Sequence, residues 1–180
     1  MTTKPLKLLL LSLPTVVVAG MILAMGMYLI NDTNRASIAL KPLDKPLPLI
    51  ELKPLDANDA IFHTDEIKHN GGLINVFASW CTPCLAEHPY LMSLSKHYNI
   101  PIYGINWKDE TKNAQAMLSR NGNPYKMVGQ DPEGQSALKL GITGVPETFI
   151  VNKNGMITHK IIGPITQELL EIELKPLLLP

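Results

Sequence analysis

Apolar residues fall into short runs separated by polar stretches along most of the chain, but one much longer run stands near its start. Residues 8–30 contain no charged side chain and are rich in Leu, Val, Ile and Met. As a helix, a run of this length would reach roughly 35 Å, enough to cross a hydrocarbon core of about 30 Å. We therefore predict a transmembrane anchor over residues 8–30, preceded by a cytoplasmic N-terminus over residues 1–7.

The charges around the long apolar run predict its orientation. Lys4 and Lys7 precede it, whereas Asp32 and Arg35 balance each other after it, so the N-terminus is expected to stay in the cytoplasm. The alternative is a cleaved secretory signal, but signals have shorter apolar runs of roughly 7–15 residues. The nearest small-residue cleavage site, at residues 18–20, falls in the middle of the run. Both interpretations export the rest of the chain.

The segment after the apolar run is polar and rich in proline. Residues 31–48 include Pro42, Pro46 and Pro48. This composition is typical of an extended tether, so we predict a linker over residues 31–48 and a folded domain over residues 49–180.

Within the predicted domain, strand patterns alternate with helix patterns. Strands are predicted at Leu73–Ala78, Ile102–Asn106, Lys126–Val128, Thr148–Val151 and Ile157–Ile162. Helices are predicted at Pro83–Tyr98, Thr111–Ser119, Ser136–Leu140 and Gln167–Leu174. The last two strands flank Asn152–Gly155, a hairpin signal because Asn-Gly tolerates positive φ. This order predicts an α/β domain whose mixed sheet is covered by helices on both faces.

The only two cysteines of the chain, Cys81 and Cys84, follow the first of these strands directly. A strand that runs into Cys-x-x-Cys and then into a helix places both sulfur atoms in the first helical turn. Unpaired N–H groups and the helix dipole stabilise a thiolate there. Cys81 is nearest the helix N-terminus and is the predicted nucleophile, while Cys84 is the predicted resolving thiol. The pattern indicates thiol–disulfide chemistry at the carboxyl end of a strand.

Metal binding and haem attachment are the alternative interpretations of the cysteine pair. The chain has no second cysteine pair, and its histidines lack zinc-finger spacing. His88 lies four residues after Cys84, however, so Cys81, Cys84 and His88 form a candidate set for a soft ion. Haem attachment requires histidine directly after the second cysteine, where Leu85 stands.

Charge excludes one class of partner. Without the two N-terminal lysines the chain has 14 basic and 16 acidic residues, a net charge of about −2. It shows no basic patch and no interleaving of aromatic and basic residues, so nucleic acid is not an expected partner. The dithiol itself carries electrons, and no cofactor is implied.

Glu87 stands three residues after Cys84, one helical turn along the same face. A carboxylate near a thiol raises the pKa of the thiol, and burial raises the pKa of both groups. Glu87 would then accept the proton of Cys84 when Cys84 attacks a mixed disulfide. The alternative is an ordinary exposed glutamate on a helix surface.

Several segments together resemble the thioredoxin superfamily: Trp80 with the Cys-x-x-Cys pair, the helix proline Pro89, and Gly144–Phe149. From about Leu40 to the C-terminus, the chain more closely resembles the membrane-anchored periplasmic CcmG/DsbE thiol:disulfide interchange proteins of cytochrome c maturation. The segments that carry this closer resemblance are Ala86–His88, Gly104–Asp109, Gly122–Tyr125 and Gly141–Phe149.

The resemblance implies a thioredoxin-like fold and assigns further site residues. Pro146 would follow a cis peptide bond, where the alternative is a simple strand-entry proline. Glu87 and Glu147 would be the acidic residues near the dithiol, and Glu147 would lie beside Cys81 unless it is a solvated strand end. Trp80 would shield the disulfide from one side. Asp109 is a further candidate to line the groove beside Cys81.

The resemblance also implies a direction of electron flow and a set of partners. A periplasmic reductase would keep apocytochrome c, or a cytochrome c assembly thiol protein, reduced for haem attachment. A DsbD/CcdA-type membrane electron donor would recharge it, and the domain would face the periplasm from a single-pass anchor in the bacterial inner membrane. The alternatives are a general periplasmic oxidant or isomerase, and a copper chaperone on a thioredoxin scaffold. No methionine cluster near Cys81 supports the chaperone.

Overall fold

The computed structural model describes residues 14–27 and 39–179. The chain divides into two compact units, Met1–Ser37 and Ile38–Pro180. In the first unit, residues 14–27 form helix α1. Among the described residues, no helix combines the length and the apolar character that a membrane crossing needs. The predicted anchor extends outside the described residues at both ends, and the predicted segment 1–7 lies outside them entirely.

One mixed sheet of eight strands organises residues 39–179, in the order β1-β8-β7-β4-β5-β6-β2-β3. Strands β4, β5 and β6 are parallel to one another, and the remaining pairs are antiparallel. The strands are β1 Ala39–Pro46, β2 Glu51–Pro54, β3 Phe62–His63, β4 Gly72–Phe77, β5 Ile102–Trp107, β6 Met127–Asp131, β7 Glu147–Val151 and β8 Met156–Ile162.

Helices connect the parallel strands and end the chain. They are α2 Thr64–Asn70, α3 Thr82–Lys96, α4 Thr111–Asn121, α5 Gln135–Leu140, α6 Gln167–Leu169 and α7 Lys175–Leu178, with a π-helical turn at Leu170–Leu174 between the last two. Each strand and helix predicted from the sequence is present, with ends shifted by a few residues. The predicted α/β class with a mixed sheet is thus confirmed, and the C-terminal helix is a succession of three short helical pieces.

The side chains of β4 alternate between two apolar clusters, one on each face of the sheet. Leu73 and Phe77 belong to the first cluster, which includes residues of α3, α4 and the C-terminal helical pieces. Ile74 and Val76 belong to the second cluster, which includes residues of α2 and α5. The end of β4 is therefore held from both faces, and the segment that follows it starts from a rigid base.

The linker prediction is wrong for residues 39–46. These residues form β1, which pairs antiparallel with β8 from Ala39 opposite Ile162 to Pro46 opposite Met156. Prolines are tolerated because β1 is the outermost strand and needs its N–H groups on one side only. Leu47, within the predicted linker, is buried in the core. Residues 49–72, for which the sequence predicted no element, contain β2, β3 and α2.

Candidate active site

The two cysteines form a disulfide at the start of α3. Cys81 is the N-cap residue of this helix, and its Sγ accepts a hydrogen bond from the Cys84 backbone N–H at 3.1 Å. Pro83 suits the first turn because that turn needs no N–H donor from it. The two residues are 3% and 2% exposed, so both are nearly buried in the oxidised form. The predicted placement of both sulfur atoms at a helix N-terminus is confirmed.

Trp80 precedes the disulfide and is 58% exposed. Its Nε1 donates to the carbonyl oxygen of Lys108 at 3.0 Å. Lys108 has a φ of 47°, in the left-handed region, which turns the chain directly after β5. The indole is thereby held to the loop after β5, and its shielding of the disulfide stays a prediction.

Asp109 joins the loop after β5 to the loop that leads into the disulfide. Its carboxylate accepts from Ser79 twice, from the backbone N–H at 2.6 Å and from Oγ at 2.8 Å. It also accepts from Asn106 Nδ2 at 2.9 Å and from the Glu110 N–H at 2.8 Å. Asp109 therefore connects the backbone beside the cysteines to the end of β5. This structural role was not predicted from the sequence, which offered Asp109 only as a residue lining a groove.

Asp109→Asn should destabilise the oxidised protein by about 2 kcal/mol, because an amide N–H would face the donors of Ser79 and Asn106. Urea unfolding of the full-length protein in detergent measures the change. Asp59→Asn, at an exposed position, is the control and should change stability by less than about 0.5 kcal/mol. Equal effects of the two substitutions would contradict the role of Asp109.

Glu87 is fully buried on α3. Its Oε1 accepts from Asn75 Nδ2 and its Oε2 accepts from the Ile165 N–H, both at 2.8 Å. Burial raises the pKa of Glu87 from 4.5 to about 7, against the lowering effect of these two hydrogen bonds. The alternative of an exposed surface glutamate is wrong, and near neutral pH the carboxyl group can either take up or release a proton.

Asn75 orients this carboxyl group from the middle of β4. Its Oδ1 accepts from Tyr125 Oη at 2.8 Å, which leaves Nδ2 to donate to Glu87 and, at 2.9 Å, to Thr148 Oγ1. Burial, followed by the nearby charge of Glu87, raises the pKa of Tyr125 well above its usual value, so its hydroxyl keeps the proton that it donates. The Tyr125 ring stacks on Phe77, with ring centroids 4.9 Å apart.

Asn75 and Tyr125 were not predicted from the sequence as members of this hydrogen-bond chain. One signal was available, because an asparagine in the middle of an apolar strand needs buried partners. The identity of those partners depends on contacts between residues 12 to 73 positions apart.

The Val145–Pro146 peptide bond is cis, as the resemblance implied. Strand β7 begins at the next residue and pairs with β4, with Glu147 opposite Val76. Continuing this register by one residue places Pro146 beside Phe77, at the edge of the sheet from which the chain leads to the cysteines. The cis-proline and the disulfide therefore share one end of the sheet.

Comparison with known proteins shows the family to which the chain belongs. The Redoxin family model matches residues 42–175. The thiol:disulfide interchange protein HelX of Rhodobacter capsulatus is 41% identical over 175 residues, which cover 94% of this chain and 95% of HelX. The chain belongs to the thiol:disulfide interchange proteins of the redoxin family. DsbE of Escherichia coli K12 is 38% identical over 149 residues, covering 82% of this chain and 78% of that protein.

The fold of this interchange protein is thioredoxin-like. The crystal structure of a DsbE from Chlorobium tepidum matches 77% of this chain and 97% of its own with a TM-score of 0.64, at 21% sequence identity. The predicted fold of the domain is therefore confirmed. With its cysteine pair and this family membership, the protein is a thiol:disulfide oxidoreductase.

Glu147 is buried at the start of β7, and its place beside Cys81 stays a prediction. It is 1% exposed and therefore is not a solvated strand end. Its Oε2 lies 2.9 Å from Nζ of Lys160, and its Oε1 accepts from the backbone N–H of Thr143 at 3.0 Å and from the Thr143 hydroxyl. In this interchange protein the Glu147 carboxylate thus pairs with Lys160 and accepts hydrogen bonds from Thr143. Neither partner was predicted from the sequence.

His88 is buried, with Nε2 lying 3.0 Å from the carbonyl oxygen of Gly122. Since a carbonyl accepts, Nε2 is the nitrogen that carries a proton, and this contact ties α3 to the end of α4. Within the part of the chain that the structure describes, no group of three or more His, Cys, Asp or Glu side chains is arranged to hold a metal ion. The set of Cys81, Cys84 and His88 gains no support as a metal site.

Proposed function

We propose that this protein is a periplasmic reductase that delivers electrons to disulfides during cytochrome c maturation. The observation that carries the proposal is the Cys81–Cys84 disulfide at the N-terminus of α3 in a fold that also buries Glu87. The helix N-terminus favours a thiolate on Cys81. Relatives across most of the chain are named thiol:disulfide interchange proteins.

The reaction proceeds in two exchange steps. In the reduced protein the Cys81 thiolate attacks one sulfur of the substrate disulfide, forms a mixed disulfide and releases the other sulfur as a thiolate. Cys84 then transfers its proton to Glu87 and attacks Cys81 Sγ. The Cys81–Cys84 disulfide forms, and the second substrate sulfur leaves as a thiolate. Two electrons pass to the substrate, and a donor dithiol returns them by the same steps in reverse.

The side chains around the pair supply the remaining roles in this proposal. The pKa of Glu87, about 7, matches proton transfer near neutral pH. The loop that ends in Pro146 offers backbone to a substrate segment lying across Cys81. The exposed indole of Trp80 offers an apolar contact at the rim.

The substrate and location follow from the family resemblance. The substrate is the Cys-x-x-Cys-His segment of apocytochrome c, or a thiol protein that serves it. The electron donor is a DsbD/CcdA-type membrane protein. The apolar segment 8–30 anchors the domain in the bacterial inner membrane on the periplasmic side, which raises its effective concentration near membrane-bound partners.

A partner trap tests this function. Cys84→Ala, produced in the native membrane, removes the resolving step, so substrates should accumulate as mixed disulfides on Cys81. Identification of the linked proteins decides the outcome, and a variant lacking both cysteines is the matched control. Capture of apocytochrome c or its assembly proteins supports the proposal. A broad population of secreted proteins would make the protein a general oxidant or isomerase.

A further inference from the structure

A buried ion pair lies directly after the loop that carries the cis-proline. This loop, residues 141–146, runs from the end of α5 to the start of β7, and most of its residues are at least partly exposed. Glu147 follows the loop and is 1% exposed, whereas Lys160 on β8 is 9% exposed. Lys160 Nζ lies 2.9 Å from Glu147 Oε2, so a charged pair stands at the base of an exposed loop.

The strand register brings the two charges together. Lys160 stands opposite Phe149 in the β7–β8 pairing, and Glu147 lies two residues before Phe149 on the same face of β7. A lysine side chain spans this diagonal spacing. Its Nζ lies 5.3 Å from the centroid of the Phe149 ring.

Each member of the pair also holds the loop. Lys160 Nζ donates to the carbonyl oxygen of Gly141 at 2.7 Å, at the first loop residue. Glu147 Oε1 accepts from the Thr143 N–H at 3.0 Å and from the Thr143 hydroxyl, near the loop centre. The ion pair therefore fastens the beginning and the middle of the loop to the sheet.

Apolar packing along the same loop is sparse. A Cβ atom added to Gly144 would meet no other atom within 4 Å. Val145 packs against both apolar clusters and Ile142 against the second, but each is only partly buried. The polar contacts of Gly141 and Thr143 therefore restrain the loop on either side of Ile142.

We propose that Lys160 and Glu147 are positioning residues, whose ion pair holds loop 141–146 in the shape that receives a partner disulfide beside Cys81. This inference rests on the proposed function, because loop shape matters only if a substrate segment docks there. It assigns Glu147 to the loop and to Lys160 rather than to the acids that act on Cys81.

The rival role of Glu147, an acid acting electrostatically on Cys81, predicts effects of opposite sign. Removing the Glu147 charge would then favour the Cys81 thiolate, and removing the Lys160 charge would disfavour it. Under the positioning role, both substitutions act in the same direction. They slow exchange with a docking substrate and leave the thiolate unchanged.

The experiment compares exchange rates of the full-length reduced protein in detergent with two oxidised probes. One is a peptide containing a Cys-x-x-Cys-His disulfide, and the other is 5,5′-dithiobis(2-nitrobenzoic acid), which is too small to use the loop. Lys160→Met and Glu147→Gln should each slow the peptide reaction about 10-fold, because misplaced docking groups lose this much or more. The reaction with the small probe should stay within about twofold of wild type.

Three further variants complete the design. Lys160→Met/Glu147→Gln leaves no unpaired buried charge, so it should fold even where a single substitution does not. It should be no slower with the peptide than the slower single variant. Lys160→Arg keeps the charge and should retain most of the peptide rate. Lys139→Met removes an exposed lysine of α5 that donates to Leu49, and it is the matched control.

The outcomes separate this inference from the function on which it rests. Peptide rates at wild-type level in the double variant would overturn the positioning role and leave the proposed function intact. Opposite shifts in the pH midpoint of Cys81 ionisation, with both probes affected equally, would establish the electrostatic role instead. A wild-type protein that fails to react with either probe would overturn the proposed function, and this inference with it.

Discussion

The oxidised wild-type protein is expected to lose stability as pH rises from about 4.5 to about 7, and Glu87→Gln is expected not to show this loss. In the folded state burial raises the pKa of Glu87 to about 7, so the folded protein binds this proton more tightly than the unfolded chain. The resulting stabilisation is fully present below pH 4.5 and is lost as pH rises to 7. The difference in pKa corresponds to about 3 kcal/mol.

Urea unfolding of the full-length protein in detergent, between pH 4 and pH 8, measures this effect. Over that range the free energy of unfolding should fall about 3 kcal/mol further in wild type than in Glu87→Gln. The glutamine turns an amide toward the Asn75 or Ile165 donor, which lowers stability by the same amount at every pH. The comparison therefore uses the slopes of the two curves.

Glu173→Gln, at an exposed position of the C-terminal π-helical turn, is the control and should follow the wild-type slope. Parallel curves for wild type and Glu87→Gln would show that Glu87 does not titrate in this range. The proton transfer from Cys84 would then need another acceptor.

Cys81→Ser should abolish exchange with a disulfide peptide, with a loss on the order of a thousandfold or more. A serine hydroxyl is not ionised at neutral pH and does not replace the thiolate that the helix N-terminus stabilises. Cys84→Ser, in contrast, should attack at a rate within about threefold of wild type and then stop at the mixed disulfide. Mass spectrometry of the full-length variants after reaction with the peptide measures both results.

The reverse pattern, with a stable adduct on Cys84 and none on Cys81, would contradict the assignment of the two thiols. That assignment depends on the position of Cys81 at the N-cap of α3, since both residues are nearly equally buried in the disulfide form.

The parts of the site that the sequence predicted are local. A strand that runs into Cys-x-x-Cys and then a helix fixes both sulfur atoms at a helix N-terminus, because each step depends on neighbouring residues only. Glu87 shares a helix with Cys84, and its spacing identified it as a candidate. Its burial was left open, because the side chain is covered by Asn75 and by the segment at Ile165, which are distant in the sequence.

The contacts that sequence reasoning missed depend on pairing between distant strands. The link between Lys160 and Glu147 requires the register of the β7–β8 hairpin, which a hairpin signal alone does not specify. Strand β1 was hidden for a related reason. Its prolines indicate a linker when only local composition is considered, and its partner β8 lies more than a hundred residues later in the chain.

The same prolines affect how the protein behaves in a crowded compartment. An outermost strand offers unpaired backbone groups to which the strand of another molecule can add, and this is a common start of aggregation. Pro42 and Pro46 have no N–H to offer, and the pairing of β1 with β8 is irregular between Pro42 and Lys45. The β1 edge of the sheet therefore pairs with β8 on its inner side and is a poor template for a strand of another molecule on its outer side, which protects the domain from self-association.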